Sequence, residues 1–358
     1  MGFQAGVLLF SGLPRLARSR IPGRGVADEL VSNRTSPDKN DRAGTMTTAS
    51  LPQLAGGLFL SDGGLETTLV YLEGLELPHF AAFVLLNDDA GRERLRRYYR
   101  PYLELCAGTP GAGFVLETPT WRASADWGSL LGYDAAALAQ ANIGAVRLVS
   151  ELRAEWRSRL AGPVVLSGVI GPRGDGYVVD APSSVDDAAA YHRPQAAALR
   201  DGGVDMLAAV TMTNSAEAVG IARSAKEVGL PVAISFTVET DGRLPSGESL
   251  RDAMAKVDAD TPPAYFGVNC AHPSHFEACF EAGGDWTARI RGLRANASAR
   301  SHAELDAATE LDIGDPVDLG DRYRRLRVPL PALNVLGGCC GTDQRHLRAI
   351  RDAWIPAG

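Results

Sequence analysis

The chain has 358 residues, 45% of them hydrophobic and 22% charged, a balance that excludes a wholly disordered protein and permits a sizeable core. Lys+Arg of 36 against Asp+Glu of 43 leave a net charge of -7. No overall field draws this chain to phosphate backbones or anionic lipid, so neither a nucleic-acid nor a membrane partner is expected. No window approaches the roughly 20 apolar residues of a membrane span.

Residues 1–45 stand apart. Arg15, Arg18, Arg20 and Arg24 occur with no acidic residue before Asp28, and Ser32 to Gly44 is polar and unpatterned. The segment reads as a leader, either an organellar transit peptide or an upstream extension with translation starting at Met46, the second being preferred. The expected location is cytoplasmic. From residue 46 to 358 one domain is expected. Short β-prone runs alternate there with Ala/Leu/Arg-rich segments of helical period, the pattern of parallel strands joined by crossover helices.

The expected strands are Gly57–Ser61, Gly113–Thr118, Val164–Val169, Val204–Thr211, Val232–Val238, Tyr265–Asn269, Ala288–Ala295 and Ala332–Gly337. Helical patterns such as Asp134–Leu160, Val185–Asp201 and Ala216–Val228 lie between them. Eight such units in about 300 residues fit an α/β fold closed as a single (β/α)8 TIM barrel. The seventh strand is the weakest of the eight, because Arg289, Arg291 and Arg294 interrupt it. Neither GxGxxG nor GxxxxGK[ST] is present, which disfavours a nucleotide cofactor.

In a barrel the carboxyl ends of the strands form the active face. Cys339 and Cys340 follow the eighth strand in GGCCGT, and Cys270 ends the sixth in GVNCAHP. Strands six and eight are separated only by strand seven, so the three thiols can converge above the barrel. A Cys₃ set suits Zn²⁺ and leaves a fourth position open for water or substrate. The alternative is three buried, inert cysteines. Cys106 and Cys279 fall in helical patterns and read as core residues.

With SDGGLET near the start, YHRPQAAALRDGGVDML, GVNCAHP and LGGCCGT in this order, residues 57 to about 351 resemble the homocysteine S-methyltransferase family. The resemblance implies a zinc-dependent barrel that methylates the thiol of homocysteine to give methionine. The implied donor is a sulfonium or quaternary ammonium compound, namely S-methylmethionine, S-adenosylmethionine or betaine. It assigns Cys270, Cys339 and Cys340 to the metal. Asp62 and Gly63 match the element that holds the amino-acid end of the acceptor, the aspartate pairing with an ammonium and the glycine N–H approaching a carboxylate. Thr118 matches a substrate-contacting threonine, its alternative role being a locally bonded strand-end hydroxyl. Asn269 and Asn296 fall where the family has polar residues around the metal.

One departure matters. After the fourth strand the family usually carries an acid that binds the substrate ammonium, and this chain has Val210-Thr211. Either another acid such as Glu117 serves, or the acceptor is a different thiol or a selenol. A zinc-binding barrel without transferase activity is the reading from another class. His272 and His275 permit a mixed Cys/His site, which is disfavoured because it would leave Cys339-Cys340 unexplained. His192, in a helical stretch, is expected to cap or to face solvent. The run Arg92–Arg100 is expected to be a solvated helix face.

Overall fold

All eight expected strands are present in the computed structural model, which describes residues 51–178 and 184–355; the expected leader, 1–45, lies outside the described residues. The strands are β1 (Phe59–Leu60), β2 (Gly113–Glu117), β3 (Val164–Ile170), β4 (Met206–Met212), β5 (Val232–Phe236), β6 (Tyr265–Asn269), β7 (Ile290–Ala295) and β8 (Val335–Gly338). Each pairs in parallel with the next, and β1 closes on β8 to complete a barrel. The ends shift by up to three residues from expectation, most at β8, which begins at Val335, and β1 shortens to a two-residue pairing.

Seven long helices pack outside: α1 (Asp89–Ala107), α2 (Ala135–Trp156), α3 (Val185–Gly202), α4 (Ser215–Val228), α5 (Leu250–Asp260), α6 (Pro316–Leu326) and α7 (Gln344–Trp354). All seven begin after Asp, Ser or Asn whose side chain accepts a first-turn amide, as Asp134 does from Ala137 and Asn214 from Glu217. Those caps satisfy amides that a helix start leaves without partners. Between β6 and β7 three short turns, Pro273–Phe276, Glu277–Phe280 and Asp285–Arg289, replace a long crossover helix.

The main core fills the layer between strands and helices, while a second cluster of Leu51, Phe59, Val115, Val165, Met206 and Tyr265 fills the barrel's amino-terminal end. The turn Pro52–Ala55 closes that end, with Gln53 donating to Met206 Sδ at 3.2 Å. The arginines that weaken β7 as a sequence pattern are all engaged. Arg289 pairs with Asp258 at 2.7 Å, Arg291 donates to the Gln53 carbonyl at 3.3 Å, and Arg294 reaches the barrel mouth.

Two expectations are corrected. His192 neither caps nor faces solvent; it is fully buried between α3 and α4, with Nε2 2.9 Å from Glu217 Oε1, which also accepts the Arg173 amide. Its ring lies on the helix face toward the neighbouring helix, and Glu217 supplies the partner that burial of an imidazole demands. Cys279 is only half-buried, in a 3₁₀ turn, where its thiol donates to the Gly242 carbonyl at 3.5 Å. Cys106 is buried in α1 as expected. The Arg92–Arg100 run is a solvated helix face whose arginines pair with Asp89, Glu73, Glu93 and Glu151.

Candidate metal centre

The ends of β6 and β8 are laced to the end of β7, and this brings the thiols together. Cys270 N–H donates to Arg294 O at 3.0 Å, Cys339 N–H to Ala295 O at 2.8 Å, and Ala297 N–H to Cys340 O at 3.0 Å. Cys270 adopts a left-handed backbone, φ 58°, which a non-glycine residue holds only when its surroundings fix it. Here its carbonyl accepts from His302 Nε2 at 2.7 Å and Thr237 Oγ1 at 3.2 Å. The loop after β1 presses equally close. A Cβ on Gly64 would lie 2.5 Å from the Cys339 carbonyl oxygen, so only glycine fits.

The three sulfurs lie within 4.8 Å of one another, and Cys270 Sγ is 3.6 Å from Cys340 Sγ. Tetrahedral coordination at the usual Zn–S distance separates sulfurs by about 3.8 Å, so this donor set fits zinc. Among the described residues, Cys270, Cys339 and Cys340 form the one group of metal-ligating side chains this close. Without a cation the three thiols share their protons unequally. Cys339 is held well below the ordinary thiol range because Cys270 and Cys340 donate toward it and Arg294 stands near, while Cys270 and Cys340 are pushed well above it. Tyr177 covers the cluster, its hydroxyl 3.1 Å from Cys270 Sγ and 3.7 Å from Cys340 Sγ, and its ring stacks on His302 at 3.7 Å.

These sulfurs border a pocket at the carboxyl end of the barrel. Arg294 rises into it from β7. Its Nη1 lies 2.8 Å from Asp62 Oδ1, pairs with Glu117 Oε2 and donates to Ser61 Oγ at 2.9 Å, while Nη2 donates to the Gly63 carbonyl at 3.2 Å. Tyr98 donates to Asp62 Oδ2 at 3.0 Å. Burial pushes Glu117 up to about 7 despite Arg294, with Asp62 adding to the rise. Glu66, on the turn after Gly64, is raised to about 7, chiefly by burial and further by Cys339 and Asp62.

The homocysteine S-methyltransferase family profile matches residues 59–354. The chain belongs to this family. As an enzyme it is therefore a methyltransferase. It is 26% identical over 316 residues to homocysteine S-methyltransferase 1 of Arabidopsis thaliana, covering 82% of this chain and 93% of that relative. It is 34% identical over 117 residues to homocysteine S-methyltransferase of Escherichia coli, covering 31% of this chain and 38% of that protein. The fold is similar to the crystal structure of the homocysteine methyltransferase MmuM from Escherichia coli in its metallated form, with TM-score 0.65, 23% identity and coverage of 83% and 97% of the two chains.

Against the family's pattern, the residues expected to hold substrate are placed as follows. Asp62 and Glu117 line the pocket but are both engaged by Arg294. Gly63 N–H finds no acceptor among the described residues, and a Cβ there would meet Tyr102 Oη at 2.7 Å. Thr118 Oγ1 accepts from Val169 N–H at 3.0 Å and is 2.6 Å from Thr120 Oγ1, whose own proton goes to Val169 O. Its single proton is thereby committed to Thr120, so toward a ligand Thr118 can only accept.

Asn269 turns to β4 rather than to the sulfurs. It brackets Thr211, accepting from its N–H at 2.8 Å and donating to its hydroxyl at 2.9 Å. Asn296 is buried, with its amide oxygen unpartnered among the described residues and its N–H bonded to Ala271 O beside Cys270. His272 caps the short Pro273–Phe276 turn and is lowered to about 4 by burial, and His275 bonds the Ala299 carbonyl. Neither joins the sulfurs. Sequence reasoning missed Arg294, Tyr177, His302 and Glu66. Only Arg294 carried a signal, a charge at the carboxyl end of an otherwise apolar strand. No helix among the described residues is long and apolar enough to cross a membrane.

Proposed function

We propose that this chain is a zinc-dependent methyltransferase that moves a methyl group from a sulfonium or quaternary ammonium donor to the thiol of homocysteine, giving methionine. The observation that carries this reading is the convergence of three thiols within 4.8 Å on the wall of a pocket at the barrel mouth. Cys270, Cys339 and Cys340 would hold the ion. When bound, zinc supplies a positive charge that favours the deprotonated form of a thiol at neutral pH. The rest of the work is alignment and exclusion of water.

The acceptor sulfur uses a lone pair to bond the donor methyl carbon. The bond from that carbon to the donor's sulfur or nitrogen breaks, its electron pair staying with the leaving group, and the thiol proton passes to solvent. Gly63 N–H would donate to the acceptor carboxylate, and Thr118 Oγ1 would accept from the acceptor ammonium. Arg294 holds Asp62 and Glu117 around the acceptor's polar end. Tyr177 shields the sulfurs. Thiols that must stay reduced to hold a metal suit a reducing, cytoplasmic setting.

The test is metal analysis of the purified chain, followed by incubation with homocysteine and each of S-methylmethionine, S-adenosylmethionine and betaine. Methionine from one donor and about one zinc per chain are expected; no methionine from any of them would overturn the homocysteine reading. Val210, which lines the pocket where the family usually has an acid, favours a second reading in which another thiol or a selenol is the acceptor.

A further inference from the structure

An amino-acid acceptor brings an ammonium into the pocket, and the usual acid after the fourth strand is absent. The pocket's own charges show what replaces it. Three carboxyl groups line it, Asp62, Glu66 and Glu117, against one guanidinium, Arg294. Arg294 pairs with Asp62 and Glu117 together. Glu117, the acid that sequence suggested as a substitute, is thus already engaged by a guanidinium. Glu66 makes no ion pair among the described residues; its carboxylate accepts only from its own backbone N–H, and it keeps part of its surface open to the cavity. Arg122, the other buried guanidinium in electrostatic reach, is sandwiched between Trp121 and Trp127 and donates to the Gly174 carbonyl at 2.8 Å.

We infer that the Glu66 carboxylate binds the ammonium of the acceptor amino acid, standing in for the acid missing at Val210 and fixing specificity for an α-amino thiol. The inference rests on the proposed amino-acid acceptor. A carboxylate in a partly desolvated pocket gains from a cation in contact with it, and the nearby guanidiniums of Arg294 and Arg122 are each engaged by other groups. Gly63, in the segment after β1, and Glu66, in the short helix Leu65–Thr67 that follows it, both line the pocket. An α-amino acid carries its carboxylate and ammonium on one carbon, so this stretch of chain offers a donor for the first and an acceptor for the second. Thr118, which can only accept, adds to the ammonium side. Val210 lines the same pocket, so an acid placed there reaches the same space from β4.

The test uses the zinc-loaded full chain with homocysteine and with 4-mercaptobutyrate, which is homocysteine without its ammonium. Binding is followed by calorimetry and turnover by KM and kcat. The wild type should favour homocysteine by about 10-fold or more in Kd, the scale of a charge-assisted hydrogen bond. Glu66→Gln should raise the homocysteine KM by a similar factor, act mainly on KM rather than kcat, and abolish discrimination between the two thiols. Glu66→Gln combined with Val210→Glu should recover it. Equal use of both thiols by the wild type needs no variant to be read, and it overturns the inference. So does an unchanged homocysteine KM in a zinc-replete Glu66→Gln protein. If homocysteine is methylated but Glu66→Gln is silent, this assignment alone fails. If the wild type neither binds nor methylates homocysteine, the proposed function fails and this inference with it.

Discussion

Arg294 Nη1 lies 2.8 Å from Asp62 Oδ1, joining the seventh strand to the loop after the first across the mouth of the barrel. Both side chains are largely buried, and the same guanidinium pairs with Glu117. Removing one member of a buried charge cluster strands the others, typically costing about 3–5 kcal/mol. Arg294→Met should therefore lower unfolding free energy in urea by that order at pH 7.5. Adding Asp62→Asn should recover part of it, because one stranded charge is removed. Additive losses in the double variant would contradict this account.

The acids of the pocket make stability depend on pH in a defined direction. Glu66 and Glu117 are both raised to about 7 from an ordinary value of 4.5. A carboxyl raised in the folded state binds its proton more tightly there than in the unfolded chain. Its contribution is full below pH 4.5 and is lost as the pH climbs through about 7. Glu66→Gln cannot ionise and escapes that loss. Thermal melts should show the variant gaining on the wild type between pH 5 and pH 8, by at most about 3 kcal/mol. A stability difference flat across that range would remove the argument.

How much of this was legible beforehand follows from what each signal depends on. The strand order and the cysteine cluster were readable because barrel closure turns sequence position into spatial position: the ends of β6 and β8 must flank β7. The polar end of the pocket was not. Asp62 and Glu117 were visible as acids at strand ends, but their shared partner Arg294 lies more than 170 residues from either. Its presence inside an apolar strand looked like a defect in the pattern. Tyr177 is on a loop and His302 opens a five-residue helix, His302–Asp306, both too short for any periodicity to encode their paths. His192 was misplaced for a related reason, since a buried histidine and a surface one look alike until Glu217 on the next helix is known.

The sulfur cluster predicts graded metal behaviour. Cys340→Ala leaves two thiols and should fall well below one zinc per chain, with methyl transfer lost alongside. Tyr177→Phe keeps all three ligands and the ring that stacks on His302, losing only the hydroxyl 3.1 Å from Cys270 Sγ. Such outer contacts tune a site by about 10-fold. Competition against a chelator should show zinc held about 10-fold less tightly in Tyr177→Phe, with the melting curve nearly unchanged. Full zinc occupancy in Cys340→Ala would contradict the three-sulfur site.

Thr211 holds the pocket wall beside Val210 in a left-handed conformation, φ 61°, where the pairing of β4 with β5 shifts register between Ala209 and Met212. A β-branched residue resists that conformation, and Asn269 holds it there with two hydrogen bonds. Asn269→Ala removes both bonds and leaves a buried amide without an acceptor, so a loss of about 2–3 kcal/mol is expected. Thr211→Gly relaxes the backbone and removes the hydroxyl that Asn269 served, so the two changes should be less than additive when combined. Equilibrium unfolding of the two single variants and the double variant measures that coupling. If the double variant loses the full sum of the single losses, Asn269 is not what holds Thr211 in place.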